Sequence, residues 1–368
     1  MAVWEGYGSR PGLRFTPGEV TGALGDSVTV LPIVVTLCAL TPASLPHVLV
    51  AFGVFQVVWG VRYGLPMSVE PMKALAGLAI AGAVTYGEFV AAGLLAGVVL
   101  LIAGAAGALG RVERLVGRPV VRGVQLAVAL LLVERALHLS LGDPALALAG
   151  VLLAAAVSLV APRAAALALL AAGVALAVGV AGVPEPTLPA LALFPGGVPT
   201  LTTAALGGTA AQLAMTVGNA AVATSLLFSD LFDADVPTDD LATNMGTMTL
   251  LSVPFGGLPM CHGSGGLAGK YAFGARTGGA NVVLGGLYLA AALVVGLWTA
   301  FPLALLGAVL GVVALQLGRV ALADRSALAV AVGVAGALTN VGLAFVGGLL
   351  AWHALRYLDL VESAERAD

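Results

Sequence analysis

The chain has 368 residues, 60% of them hydrophobic and 10% charged, with a net charge of −3. A soluble domain carries about 25% charged residues, so this chain cannot clothe itself against water and its solvent must be lipid. No basic tract points to nucleic acid, and Cys38 and Cys261 both lie in apolar stretches, which argues against a disulfide framework.

Residues 1–19 read as a short tail outside the bilayer, holding Trp4, Glu5, Arg10 and Arg14 without the apolar core of a signal peptide. A span needs about 20 apolar residues. Runs of that kind predict helices over 20–40, 46–62, 87–108, 119–139, 144–161 and 163–182. After a linker at 183–203 they resume over 204–228, 240–254, 278–298, 300–318, 325–338 and 339–357. Residues 358–368 form a second tail. Two shorter segments, 67–81 and 260–274, are broken by Gly or Pro and cannot cross as one helix. Counted as broken elements 3 and 10, they raise the total to fourteen.

Charge supports that count. With the N-terminus in the cytoplasm and all elements alternating, fourteen of the sixteen basic residues fall inside: Arg10, Arg14, Arg62, Arg111, Arg114, Arg118, Arg122, Arg163, Lys270, Arg276, Arg319, Arg325, Arg356 and Arg366. Arg135 falls outside and Lys73 within the third element. Both tails are then cytoplasmic, and the chain is a multi-pass protein of the cytoplasmic membrane.

The chain writes Gly-Leu-Pro-Met at Gly64 and again at Gly257, 193 residues apart; Gly25-Asp26 and Gly218-Asn219 keep the same interval. Pro and Met are scarce here, so the repetition carries weight. Seven elements separate the copies, and an odd number turns the second copy upside down. This predicts an all-α fold of two inverted repeats, 20–182 and 204–357, with seven elements each. Each broken element should enter as an extended strand and start a half-helix near the midplane, with Ser68 as a helix cap and Pro71 in the first turn. Two facing helix N-termini, each carrying about half a positive charge, make an anion site.

Ionisable residues inside a membrane are functional candidates. Ser68, Val69, Glu70 and Lys73 lie at the first half-helix start. Cys261, His262, Gly263, Ser264 and Gly265 lie at the second, and Asn219 on the eighth span can reach the same pocket. Asp26, Thr29, Gln212 and Thr216 are candidates for lining it or for coupling. Asp26 reads either as an interfacial residue or as one that orients donors, binds a cation or takes a proton. Glu70 and Lys73 read either as a simple pair or as pocket groups. An ionised Glu70 repels an oxyanion, so it must face away, pair with Lys73 or be protonated when the anion binds. His262 can donate and titrate, or serve structure alone. Cys261 and His262 lack a second pair at metal spacing, and no GxxxxGK[ST] loop is present, so neither a metal nor another cofactor is expected.

At "GALGDSVTVLPIV" (22–34), "GLPMSVEPMKALAG" (64–77) and "GLPMCHGSGGLAGKYAFGARTG" (257–278) the chain resembles the molybdate transporter family of the MOT1 type, a branch of the sulfate permease (SLC26/SulP) superfamily. The resemblance implies a core of elements 1–4 and 8–11, a gate of elements 5–7 and 12–14, homodimers through the gate, and a tetrahedral oxyanion as substrate. The family commonly has Gln at Glu70, Gly-Thr at Val28-Thr29, Ala at Ser264 and Gln at Lys270. No STAS domain follows the last span, which agrees with the molybdate branch.

The expected function is secondary transport of molybdate by elevator-like sliding, with protons as a candidate coupling ion. Sulfate, or oxyanions in general, is the near alternative. A nucleobase or carboxylate carrier and an anion channel keep the fold and change the cargo or coupling. A membrane enzyme is disfavoured, because adjacent Cys261 and His262 make a poor catalytic couple.

Overall fold

The computed structural model describes residues 12–110, 115–294 and 300–365. Arg10, Arg111, Arg114 and Arg366 of the charge argument lie outside them.

Prolines and capping side chains set where the helices begin. α1 (Pro17–Leu40) and α2 (Leu45–Tyr63) each carry Pro in the first turn, where a missing N–H costs nothing. Gly64 ends α2 with φ of 65°, and its N–H returns to Gly60 O. β1 (Glu70–Pro71) and α3 (Lys73–Ile80) follow. α4 (Tyr86–Ala105) opens on a reciprocal capping box between Thr85 and Glu88. α5 (Arg118–Ser140), α6 (Pro144–Val160) and α7 (Ala165–Ala181) complete the first half.

α8 (Thr203–Met215) is capped by Thr202 and runs through a π-helical segment (Thr216–Ala221) into α9 (Val222–Phe232). Then come α10 (Thr238–Ser252), β2 (Met260–Cys261), α11 (Ser264–Ala272) and α12 (Gly279–Leu293). α13 (Leu303–Leu322), α14 (Ala327–Leu338) and α15 (Val341–Glu365) close the chain. Each of the twelve apolar runs holds a helix, and both short segments are a two-residue strand followed by a short helix.

Among the described residues, five helices are long and apolar enough to cross a membrane by themselves: α1, α2, α4, α13 and α15. The outer surface is apolar, with Leu159 88% and Val160 90% exposed. Such a surface is stable only against lipid. Inside, α1 packs on α11, α3 on α8, α2 on α12, α4 on α10, and α5 on α13 and α14. Small residues allow the closest approach: a Cβ at Gly25 would stand 2.7 Å from Gly269 O. The largest apolar cluster draws on α1–α5, α8–α13 and α15, while a smaller one joins α1, α6, α7 and α13.

The strands form an antiparallel pair, Glu70 opposite Cys261 and Pro71 opposite Met260. Met72 N–H adds a 2.8 Å bond to Pro259 O. This pairing overrules the expected cap. Residues before proline favour extended backbone, so Val69 to Met72 stay extended and α3 starts only at Lys73. Ser68 is therefore not its cap, and Pro71 lies in the strand.

Candidate anion site

A cavity of about 260 Å³ opens where the two strands end. Thr29 of α1, Glu70 and Lys73 of the first broken element, Gln212 and Thr216 beside the π segment, and Cys261, Gly263, Ser264 and Gly265 of the second broken element line one side. Gln125 and Leu132 of α5 with Val313, Gln316, Leu317 and Val320 of α13 line the other.

Glu70 defines the chemistry. Its Oε1 accepts from Gly266 N–H at 2.6 Å, from Ser68 Oγ at 3.2 Å and from Thr29 Oγ1 at 3.2 Å. Its Oε2 pairs with the Lys73 ammonium. The protein's own carboxylate thus sits at the N-terminus of α11, where unpaired N–H groups and the helix dipole favour an anion. The glycines are required: a Cβ at Gly263 would strike the Glu70 carboxylate, and one at Gly266 would strike Asp26, Ser68 and Glu70. The matching donors of α3 are used differently. Ala74 N–H and Leu75 N–H donate to Gln212 Oε1 at 2.9 and 3.2 Å, and Gln212 Nε2 donates to Thr216 Oγ1 at 2.8 Å.

Asp26 lies behind this layer and is fully buried. It accepts from Ser68 Oγ at 2.7 Å and Gln56 Nε2 at 2.7 Å, and it pairs with Lys270 Nζ at 3.1 Å. Asp26 is therefore enclosed by protein and holds donors in place, as one of its two readings expects. Ser68 and Val69 are also buried behind the cavity, Ser68 joining the two carboxylates through its hydroxyl. His262 faces away: its Nδ1 meets Ser68 O at 2.8 Å and its ring stands edge-on to Trp59. The reason is strand geometry, in which neighbours point to opposite faces; Cys261 takes the cavity side. Asn219 belongs to the π-helical segment, and its side chain lies outside what the structure describes.

Gln125 and Gln316, on the α5 and α13 side of the cavity, escaped the sequence reading, and so did three groups behind it. Gln56 and Asn281 are neutral amides with no motif around them. Lys270 was counted among cytoplasmic charges, yet it is fully buried. Its apolar setting, Gly-Leu-Ala-Gly before and Tyr-Ala-Phe-Gly after, is the signal that marks it as intramembrane.

The family described as "Molybdate transporter of MFS superfamily" matches residues 18–132 and 204–317. Molybdate transporter 1 of Arabidopsis thaliana is 31% identical, with 79% of this chain and 77% of that protein covered. Molybdate transporter 1 of Chlamydomonas reinhardtii is 29% identical, covering 92% of this chain and 91% of its own. Among solved structures, the transmembrane domain of the cyanobacterial bicarbonate transporter BicA superposes with a TM-score of 0.65 at 18% identity, over 93% of this chain and 98% of that domain. Murine Slc26a9, an anion transporter in the inward-facing state, gives 0.64 at 12% identity, over 95% and 69%. At these identities the structures establish a shared helical fold; that the chain is a polytopic membrane transporter and not an enzyme rests on the family match and the curated relatives. The chain belongs to the molybdate transporter family.

Proposed function

We propose that this protein is a secondary transporter that carries molybdate across the cytoplasmic membrane, with both termini in the cytoplasm. The observation that carries the reading is the Glu70 carboxylate lodged at the start of α11, because a group that holds one oxyanion through backbone N–H, hydroxyls and an ammonium can hold another. The incoming anion would take donors now used by Glu70, with Ser264, Gly265 and Thr29 around it and Lys73 as its countercharge. Val69, Ser68 and Asp26 would hold the layer behind it, and Asn219 would approach from the π segment.

Charge argues for a proton as partner. Glu70, Asp26, Lys73 and Lys270 sum to zero when all are ionised. A dianion added to that set is an uncompensated buried charge, which is costly. A proton on Glu70 would remove one opposing charge and free the seat at once.

The seven-plus-seven inverted repeat is supported by the packing, which exchanges under a swap of halves: α1 on α11 mirrors α8 on α3, and α2 on α12 mirrors α10 on α4. The family match in two stretches of similar length, one in each half, supports it as well. Elements 1–4 and 8–11 would act as the core that slides against a gate of elements 5–7 and 12–14, since the cavity lies between these groups. Dimers would form through the gate.

The test is radiolabelled molybdate uptake into proteoliposomes, with tungstate, sulfate and uracil as competitors and an imposed pH gradient. Saturable uptake blocked by tungstate but not by sulfate is the expected result. Equal competition by sulfate moves the assignment to a general oxyanion carrier, and flux that does not saturate makes it a channel.

A further inference from the structure

Behind the cavity, Lys270 ends in a closed shell of oxygen atoms. Its Nζ lies 2.7 Å from Met67 O, 2.9 Å from Gln56 Oε1, 3.0 Å from Asn281 Oδ1 and 3.1 Å from Asp26 Oδ2. The side chain is 0% exposed. The oxygens come from the strand leading to β1, from α2, α12 and α1, and the lysine reaches in from α11. One negative charge and three neutral carbonyl oxygens are the donor set that hard cations take.

The shell is also braced without the lysine. Asn281 Nδ2 donates to Gln56 Oε1 at 2.7 Å and to Met67 O at 2.5 Å, and Gln56 Nε2 donates to Asp26 Oδ2 at 2.7 Å. Three of the four oxygens, on Gln56, Met67 and Asp26, thus have a second partner besides the lysine, and Asn281 Oδ1 belongs to the amide that supplies two of those bonds. An ammonium has three N–H donors, so it cannot give each of four oxygens its own hydrogen. What the shell recognises is a small positive charge more than a directed donor.

We infer that the Lys270 ammonium is a resident cation, filling a monovalent-cation site at the junction of α1, α2, α11 and α12. Five stretches of chain are drawn together by that charge, and the protein needs no dissolved sodium or potassium to hold them. The N–O spacing suits a potassium-sized ion without movement, while sodium requires the shell to contract. The assignment does not depend on which anion is carried.

The experiment is thermal unfolding of the purified protein in potassium, sodium or choline chloride at equal ionic strength. Wild type should melt at one temperature in all three. Lys270→Met keeps the stem and removes the charge. In choline its ratio of folded to unfolded protein should fall by about a hundredfold or more, as for a buried pair stripped of one partner. Potassium, sodium or both should restore its melting temperature in a saturable way, and Asn281→Ala in the same background should abolish the rescue. Asp26→Asn with Lys270→Met removes both charges and should melt independently of the salt. A wild type stabilised by sodium or potassium overturns the inference. So does a Lys270→Met protein that behaves alike in all salts, or one that cannot be recovered folded even in potassium and sodium, since the shell would then need the lysine itself. Melting needs no transport, so these results stand apart from the outcome of the uptake assay.

Discussion

Replacing Glu70 by Gln is the most informative perturbation of the anion site. The amide keeps the shape of the side chain and can still accept from Gly266 N–H, now 2.6 Å from Oε1. It loses the negative charge that pairs with Lys73. Two effects of opposite sign follow. Stability falls by about 1–3 kcal/mol, because charge-assisted hydrogen bonds become neutral ones. Anion affinity rises. A dianion near the α11 N-terminus would stand about 4 Å from an ionised carboxylate, and each unit of its charge is then repelled by about 4 kcal/mol at an effective dielectric of 20. Even a third of one such term, about 1.4 kcal/mol, is a tenfold change in affinity. Titration calorimetry with molybdate in detergent, repeated across pH, reads both parts. Wild-type affinity should strengthen as pH falls, by up to about tenfold per unit if one proton binds with the anion. The variant should bind at least about tenfold tighter than wild type at neutral pH and show no such slope. In proteoliposomes, its uptake should lose stimulation by an inward proton gradient. A Glu70→Gln protein that binds more weakly and keeps the pH slope refutes the reasoning, for Glu70 would then be a partner of the substrate and not its stand-in.

Gly266→Ala should abolish anion binding, because the added methyl strikes Asp26, Ser68 and Glu70 together; calorimetry on the purified variant checks this. Gln212→Ala leaves the N–H groups of Ala74 and Leu75 without their acceptor, and chemical denaturation should show a loss of about 1–3 kcal/mol. His262→Gln can preserve the bond to Ser68 O while removing the imidazole, so molybdate affinity should stay within about threefold of wild type; a larger loss in the same calorimetric titration would return His262 to the site.

The helices were legible because lipid demands long apolar runs and because Pro, Thr and Asp at their starts follow local rules. The broken elements were legible too, since Gly-Leu-Pro-Met recurs at a fixed interval. Glu70 and Lys73 could be paired from spacing alone, even though the strand displaced the helix start that the pairing assumed. Local rules failed at the choice of face. Cys261 and His262 are neighbours with the same apparent standing in the sequence, and only the pairing of β2 with β1 turns one to the cavity and the other to Trp59.

The amino-acid sequence by itself determined that this protein lives in lipid, where its helices run, and which two interrupted segments meet at the cavity. All of that depends on composition and on intervals within a few tens of residues, or on a repeat that spacing reveals. Tertiary structure alone decided what holds the site. Asp26 and Lys270 are separated by 244 positions in the chain, and nothing near either residue names the other. They meet because α1 and α11 approach where Gly25 and Gly269 leave no side chain between them, and once both charges are buried there, neither can be left without the other.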